Sequence, residues 1–269
     1  MKTILITGST DGIGLGAAQT LAGEGHRVLL HGRSVDKLEA AKAQIVAALP
    51  DASIATYRAD LVSPEEVVAM AKAVASENER IDALLNNAGV VHAQPATGPT
   101  GHDIRYLVNT FAPIILTRHL MDHLAPEARV VSTSSAAQAS IVPAHLTGAE
   151  PIADAFNAYS QSKLALTMWS RRMAAQHPQG PSFYAVNPGS MLATKMVTQG
   201  FGIEGNDPGK GVRILTEGAV GARFEGHSGD YFDNDAGDWG PPHADALSEA
   251  KCDAVLALIE GELEKLGVA

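Results

Sequence analysis

The chain of 269 residues has a single cysteine, Cys252. No disulfide and no cysteine-based metal cluster can form within it. Basic residues are the minority, 20 Lys and Arg against 30 Asp and Glu, giving a net charge of −10. Sequence-independent nucleic-acid binding needs a basic face, so that class is excluded. No apolar run approaches the roughly 18 residues of a membrane span. The apolar stretch of Met1–Gly8 is too short for a signal peptide. The ten histidines show no HExxH spacing, so no metal is expected. Asp230, Asp233, Asp235 and Asp238 do not make an EF-hand. Counted from Asp233, position five is Gly237 and position six is Asp238, the reverse of what that turn requires. The segment reads as a solvated acidic loop. Repeats, low-complexity tracts and linkers are absent. What remains is 45% hydrophobic and 19% charged, the composition of a globular protein. A soluble, cytoplasmic chain is expected.

Short apolar runs alternate with longer amphipathic ones. Ile4–Ile6, Val28–Leu30, Ile54–Tyr57, Ile81–Leu85, Ala128–Ser132 and Phe183–Val186 read as strands, and Tyr231–Phe232 as a seventh. Gly14–Glu24 and Val35–Leu49 read as helices. Ser63-Pro64-Glu65-Glu66 opens another: a good N-cap, a proline suited to the first turn, and two acids at the positive end. This alternation predicts an α/β fold with a doubly wound, mostly parallel sheet of about seven strands flanked by helices. One domain over 1–269 is expected. Ligands in such sheets bind beyond the carboxyl ends of the strands, so the loops there are where chemistry belongs.

The first of these loops is Gly8-Ser9-Thr10-Asp11-Gly12-Ile13-Gly14, between a buried strand and a helix. Glycine there permits a tight turn and close backbone approach to a pyrophosphate, whose charge the helix N-terminus favours. The spacing is not the G-x-G-x-x-G of the common dinucleotide fingerprint. It is TGxxxGxG, and further motifs follow it in order. Asp60-Leu61 follows the third strand. Asn86-Asn87-Ala88-Gly89 follows the fourth, and Val108-Asn109-Thr110 comes next. Ser134-Ser135 ends the fifth. Tyr159-Ser160-Gln161-Ser162-Lys163 has the form YxxxK. Pro188-Gly189 follows the sixth, with Thr194 beyond it.

The set resembles the short-chain dehydrogenase/reductase family over nearly the whole chain, and implies its Rossmann-like fold. Ser135 and Tyr159 are 24 residues apart, longer than is usual in that family. A loop of extra length costs little entropy, so an insert over about 136–158 can stand beside the site. It is similar to the retinol-dehydrogenase-like and protochlorophyllide-reductase-like branches. The Pro188–Thr194 segment is one residue longer than the commoner form. The tail from Ser228 to Asp235 is similar to bacterial members of the family.

The resemblance implies a catalytic set of Asn109, Ser135, Tyr159 and Lys163. A free Tyr has a pKa of about 10 and is a poor base at neutral pH. Lys163, one helical turn from Tyr159, favours the phenolate. A lowering of about 2 units needs about 3 kcal/mol of differential interaction, within reach of Lys163 and a cofactor's positive ring. Tyr159 then serves as acid in carbonyl reduction and base in alcohol oxidation. Ser135 stabilises charge on the substrate oxygen. By resemblance, Lys163 also holds the nicotinamide ribose, and Asn109 a water joining Lys163 to solvent. Taken singly these residues have plainer readings: a packed ring with a snorkelling lysine, a strand-end serine, a helix-kinking asparagine.

The cofactor set implied is Gly8, Ser9, Thr10, Asp11, Gly12, Ile13, Gly14, Arg33, Ser34, Asp60, Leu61, Asn87, Ala88, Gly89, Tyr159, Lys163, Pro188, Gly189 and Thr194. NAD users of the family place an Asp where Gly32 stands; Arg33 and Ser34 suit a 2′-phosphate instead. NADP(H) is therefore preferred, with NAD(H) possible. Asp11 argues the other way, since NADP users often carry a basic residue there. Residues 190–211, with Gly200, Gly202, Gly205, Gly209 and Gly211, form an expected lid. Met191, Leu192, Met196 and Phe201 there, and Ile141, Val142 and Leu146 in the insert, suggest an apolar or mixed carbonyl or alcohol substrate. They equally fit plain packing of the lid. Leu164, Leu166, Met168 and Trp169 are numerous apolar residues for one helix and suggest a homodimer or homotetramer. Two rivals remain: a non-catalytic NADP(H) redox sensor, and a sugar-nucleotide epimerase or dehydratase. The second has another glycine spacing and a longer C-terminal domain.

Overall fold

The computed structural model describes residues 1–193 and 205–269. Eight strands form one sheet in the order β3-β2-β1-β4-β5-β6-β7-β8. They are β1 (Thr3–Ile6), β2 (Arg27–Gly32), β3 (Ile54–Arg58), β4 (Ile81–Asn86), β5 (Leu124–Thr133), β6 (Ser182–Asn187), β7 (Tyr231–Asp233) and β8 (Asp238–Gly240). Neighbours from β3 to β7 pair in parallel, and β8 pairs antiparallel to β7. β8 adds one strand to those legible in the sequence. Ile4 pairs with Val28 on one side and Ala83 on the other, so the chain reverses its winding at β1. That switch point opens a crevice at the strands' carboxyl ends.

β1 shows why the strands are so uniformly apolar. Leu5 points into one core, while Ile4 and Ile6 point into the other. Both faces are covered, so no position along the strand can be polar without cost. One face carries α1 (Gly12–Gly23), α2 (Val35–Ala48) and α8 (Gly209–Val220). The other carries α3 (Pro64–Glu77), α5 (Ala112–Leu120), α7 (Ala155–Gln176) and α9 (Glu249–Lys265). Short helices α4 (Ile104–Tyr106) and α6 (Pro143–Leu146) complete the set among the described residues. The expected start of α3 is present: Ser63 caps Glu66 and Pro64 lies in the first turn. No helix among the described residues is long and apolar enough to cross a membrane.

α9 changes the reading of α7. Leu164, Leu166, Met168 and Trp169 are all buried inside this one chain. Cys252, Val255, Ile259 and Leu263 of α9 belong to the same core. Ion pairs fasten the helix at its edges, Arg118 to Glu260 at 2.5 Å and Arg172 to Asp253 at 2.7 Å. The apolar residues that suggested a homodimer or homotetramer are thus occupied within the chain and offer no free face. Trp169 meets the Phe183 ring edge-on. Its replacement by Ala should cost about 3–5 kcal/mol of unfolding free energy. The mass in light scattering should stay unchanged, and a fall in mass in Trp169→Ala would return this helix to self-association.

Candidate active site

A cleft of about 790 Å³ runs across the carboxyl ends of the strands. At one end lie Gly8, Thr10, Asp11, Gly12, Ile13, Gly14, Gly32 and Arg33; at the other lie Ser135, Tyr159 and Lys163. Asp60, Leu61, Asn87, Ala88, Gly89, Pro188 and Gly189 line it between them.

The glycine loop is built against its neighbour across the switch point. The Thr7 hydroxyl accepts from the amides of Asn87 (2.9 Å) and Ala88 (3.0 Å). Asn87 Nδ2 donates to the carbonyls of Thr7 and Gly8. Gly8 has a φ of 65° and Gly12 one of 55°, which favour glycine. A Cβ on Gly14 would collide with Asn87 Nδ2 and the Gly8 carbonyl. Asp11 caps α1 by accepting from the Gly12 amide. The result is a cradle at a helix N-terminus in which Gly8, Gly12 and Gly14 leave the backbone bare, which fits a pyrophosphate.

His31 holds this cradle from below. Its Nδ1 accepts from the Gly8 amide at 3.1 Å, and its Nε2 lies 3.2 Å from the Ala59 carbonyl. These partners assign the neutral tautomer with the proton on Nε2. Burial pushes its pKa down to about 4, against weaker pulls from Ala59 and Asp60. Sequence reading passed over His31, although a polar residue in so apolar a strand was the available signal. Two expected cofactor residues turn elsewhere. Ser9 is buried, exchanging hydrogen bonds with the His31 backbone. The Ser34 hydroxyl accepts from the Lys37 amide as the cap of α2. Arg33 is exposed and lines the cleft.

At the other end, Asp154 caps α7, so Tyr159 and Lys163 lie on its opening turns. Lys163 is buried, with Nζ 2.6 Å from the Thr133 carbonyl and 5.6 Å from the centre of the Tyr159 ring. Burial brings its pKa down to about 7. Tyr159 opens onto the cleft, but the dense protein around it pushes its phenol upward, and a hydrogen bond with the Ser135 side chain draws it back. The lowered pKa expected from the sequence is not the state of the protein alone. Ser134 turns its hydroxyl to Thr167 at 2.7 Å, leaving Ser135 as the serine beside Tyr159. Ser135 is itself held: the Tyr231 hydroxyl donates to its carbonyl at 3.0 Å.

Asn109 lies in a π-helical turn, Leu107–Phe111, and is fully buried. Its Oδ1 accepts from the Val90 amide, and its Nδ2 donates to the Val90 carbonyl and Ser162 Oγ. A Cβ on Gly89 would stand 3.3 Å from both Asn109 Oδ1 and Lys163 Nζ, so glycine admits the two side chains there. Arg105 pins the next residue, donating to the Val91 carbonyl while its guanidinium grips Asp103. Gln161, between Tyr159 and Lys163, accepts from Tyr106 and the Val142 amide and so ties the insert to α7. Val90, Val91, Ile104, Phe156 and Met191 make much of the wall near Tyr159 apolar. Thr194, Met196, Gly200, Phe201 and Gly202 lie outside the described residues.

Residues 2–201 match the model of the short chain dehydrogenase family. The chain belongs to the short-chain dehydrogenase family. It is an oxidoreductase of the class acting on CH–OH and C=O groups, on a fold that binds NAD(P). Among its relatives is retinol dehydrogenase 13 of Mus musculus, 30% identical over 251 residues, covering 86% of this chain and 75% of that one. Retinol dehydrogenase 12 of Mus musculus is 33% identical over 197 residues, covering 71% of this chain and 62% of the relative. A short chain dehydrogenase of Escherichia coli CFT073, solved in complex with NADPH, superposes with a TM-score of 0.70 at 26% identity. That match covers 87% of this chain and 96% of the other.

The site carries its own pH sensitivity. His31 in the unfolded chain takes up a proton near its ordinary value of about 6.5, and in the folded one near 4. Its contribution to stability is whole above pH 6.5 and is lost as pH falls towards 4. The loss amounts to up to about 3 kcal/mol. Urea unfolding across this window should show stability declining with acid, and His31→Gln should flatten that slope. An unchanged slope in the variant would remove His31 from the account.

Proposed function

We propose that this protein is an NADP(H)-dependent oxidoreductase moving a hydride between nicotinamide and a carbonyl or alcohol, with Tyr159 as general acid and base. The observation that carries this is the placement of Ser135, Tyr159 and Lys163 at one end of a cleft whose other end is a glycine cradle beside Arg33. The bound nicotinamide would supply or accept the hydride. Tyr159 gives its proton to the substrate oxygen in reduction and takes it back in oxidation. Ser135 donates a hydrogen bond to the same oxygen. Lys163 steadies the phenolate by its charge and holds the ribose. Asn109 ties down Val90, next to the Gly89 that stands close to Lys163 Nζ, and would there hold a water joining Lys163 to solvent. Gly8, Thr10, Gly12, Ile13 and Gly14 would hold the pyrophosphate. Asp60 and Leu61 would flank the adenine, with Asn87, Ala88 and Gly89 along the middle. Pro188 and Gly189 would flank the nicotinamide.

Arg33 supports the NADP(H) preference, because the position of the NAD-selecting acid is Gly32 and Arg33 beside it lines the cleft. The apolar wall near Tyr159 supports an apolar or mixed substrate. We read residues 1–269 as one oxidoreductase domain with an insert near 136–158; of the lid expected over 190–211, residues 194–204 lie outside the described residues and 209–211 begin α8. A cytoplasmic location accords with a lone, buried cysteine.

Tyr159→Phe should abolish NADPH oxidation by apolar aldehydes and ketones while NADPH still binds; a variant that turns over like the wild type would reject the assigned proton donor. Wild-type binding without turnover across such a panel would instead favour a redox sensor. Arg33→Ala should cut the ratio of NADPH to NADH affinity by about tenfold. Equal ratios in variant and wild type would take the 2′-phosphate away from Arg33.

A further inference from the structure

The acidic run 230–238 is exposed at Asp230, Asp235 and Asp238, as its composition suggested, yet it is also tied to the fold. Its middle lies against the loop that follows β6. Asp235 Oδ1 accepts from the Ser190 amide at 2.8 Å. Asp235 Oδ2 accepts from Ser190 Oγ at 2.5 Å and from Asn187 Nδ2 at 2.9 Å. Asp233 Oδ1 accepts from the same Asn187 Nδ2 at 2.8 Å and from the Asp235 amide at 3.1 Å. Asn234 Nδ2 donates to the Pro188 carbonyl at 2.8 Å and the Lys210 carbonyl at 3.1 Å. Two consecutive side chains, Asn234 and Asp235, therefore hold the carbonyl of Pro188 and the amide and hydroxyl of Ser190, while Asp233 holds Asn187 just before them. Four residues before Asp235, Tyr231 holds the Ser135 carbonyl. Asp235 commits both carboxylate oxygens, and Asp233 its Oδ1, to N–H and O–H donors.

The loop needs such ties. Gly189 has a φ of 121° and Met191 one of 51°, both in the left-handed half of backbone space. Met191 has a side chain, so local preference opposes this shape and outside contacts must maintain it. Asp235 is suited to the task. Burial acts to raise its pKa, but the hydrogen bonds of Ser190 and Asn187 and the charge of Lys210 outweigh this and hold it below the usual carboxylate range. It therefore stays an acceptor throughout the neutral range.

We infer that Asp235 is a positioning residue, acting through Ser190 and Asn187 to set the Pro188–Ser190 loop against the nicotinamide end of the cleft. The inference rests on the dinucleotide reading above. It separates two halves of one ligand, because the glycine cradle and Arg33 lie at the other end of the cleft from Pro188–Ser190.

Calorimetric titration of the full chain with NADPH and with 2′,5′-ADP, which lacks the nicotinamide, tests it. Asp235→Ala should weaken NADPH binding by about tenfold or more and move 2′,5′-ADP by less than about twofold. Asp238→Asn, on the far strand of the hairpin beside Arg223, should change neither. Adding Ser190→Ala to Asp235→Ala should cost little beyond the first change, because the two share one interaction. Should Asp235→Ala fail to fold, Asp235→Asn keeps the shape and one acceptor, and should show the same selectivity to a smaller degree. Unchanged NADPH affinity overturns the inference. So does an equal loss for both ligands, which would mark Asp235 as merely structural. A wild type that binds neither ligand overturns the dinucleotide reading itself, and the inference with it.

Discussion

An ammonium group held inside the protein is the constraint on which this site depends. Lys163 is buried, and its Nζ has the Thr133 carbonyl as a close partner at 2.6 Å. A charge in that position is costly unless polar groups surround it. The carbonyl at the end of β5, the Tyr159 ring and the glycine at position 89 are all arranged about it. Burial answers part of the cost by bringing the lysine down to about 7. Between that value and the ordinary lysine range the unfolded chain binds the proton more tightly, so this residue's effect on stability becomes more favourable as pH rises. A group kept so near neutrality can change its charge with small changes around it, which suits the proton-transfer role proposed for Tyr159 beside it.

The rest of the fold delivers parts to that point. The sheet is covered on both faces, so its strands are fixed in register by two cores and their carboxyl ends form a rigid rim. Thr7 joins the loops after β1 and β4 across the switch point, and His31, itself within β2, joins those after β1 and β3. α7 is enclosed by its own chain, including α9, and this fixes the angle at which Tyr159 and Lys163 enter the cleft. Rigid elements behind a reacting group are what preorganisation requires.

Much of this was legible in the sequence for physical reasons. Strands buried on both faces are nearly continuous apolar runs, and β1, β2, β4 and β6 announced themselves that way. The glycines at 8, 12, 14 and 89 are needed by backbone angle or by close approach, and such needs leave a fixed residue type. Other features leave no local trace. β8 is three residues with one large apolar side chain, too short to show a period. The π-helical turn around Asn109 depends on tertiary contacts with Val90 and Ser162. Ser34 is equally suited to a phosphate or a helix cap, and only the fold shows it capping. The α7 residues were read correctly as apolar but assigned to another subunit, because sequence cannot show that α9 covers them. The exposure of the acidic hairpin was legible, but its partners, Asn187 and Ser190, were not, because they are more than forty positions away.

The central claim is that Tyr159 is a proton donor whose acidity is set by burial, Lys163 and a bound dinucleotide together. Its most direct test is an ultraviolet difference titration of the tyrosines, wild type against Tyr159→Phe, with and without the oxidised dinucleotide. The account predicts that Tyr159 ionises above the ordinary phenol range in the protein alone, and at distinctly lower pH once the positively charged ring is bound. The same midpoint in both states, or no difference between wild type and variant, would contradict it.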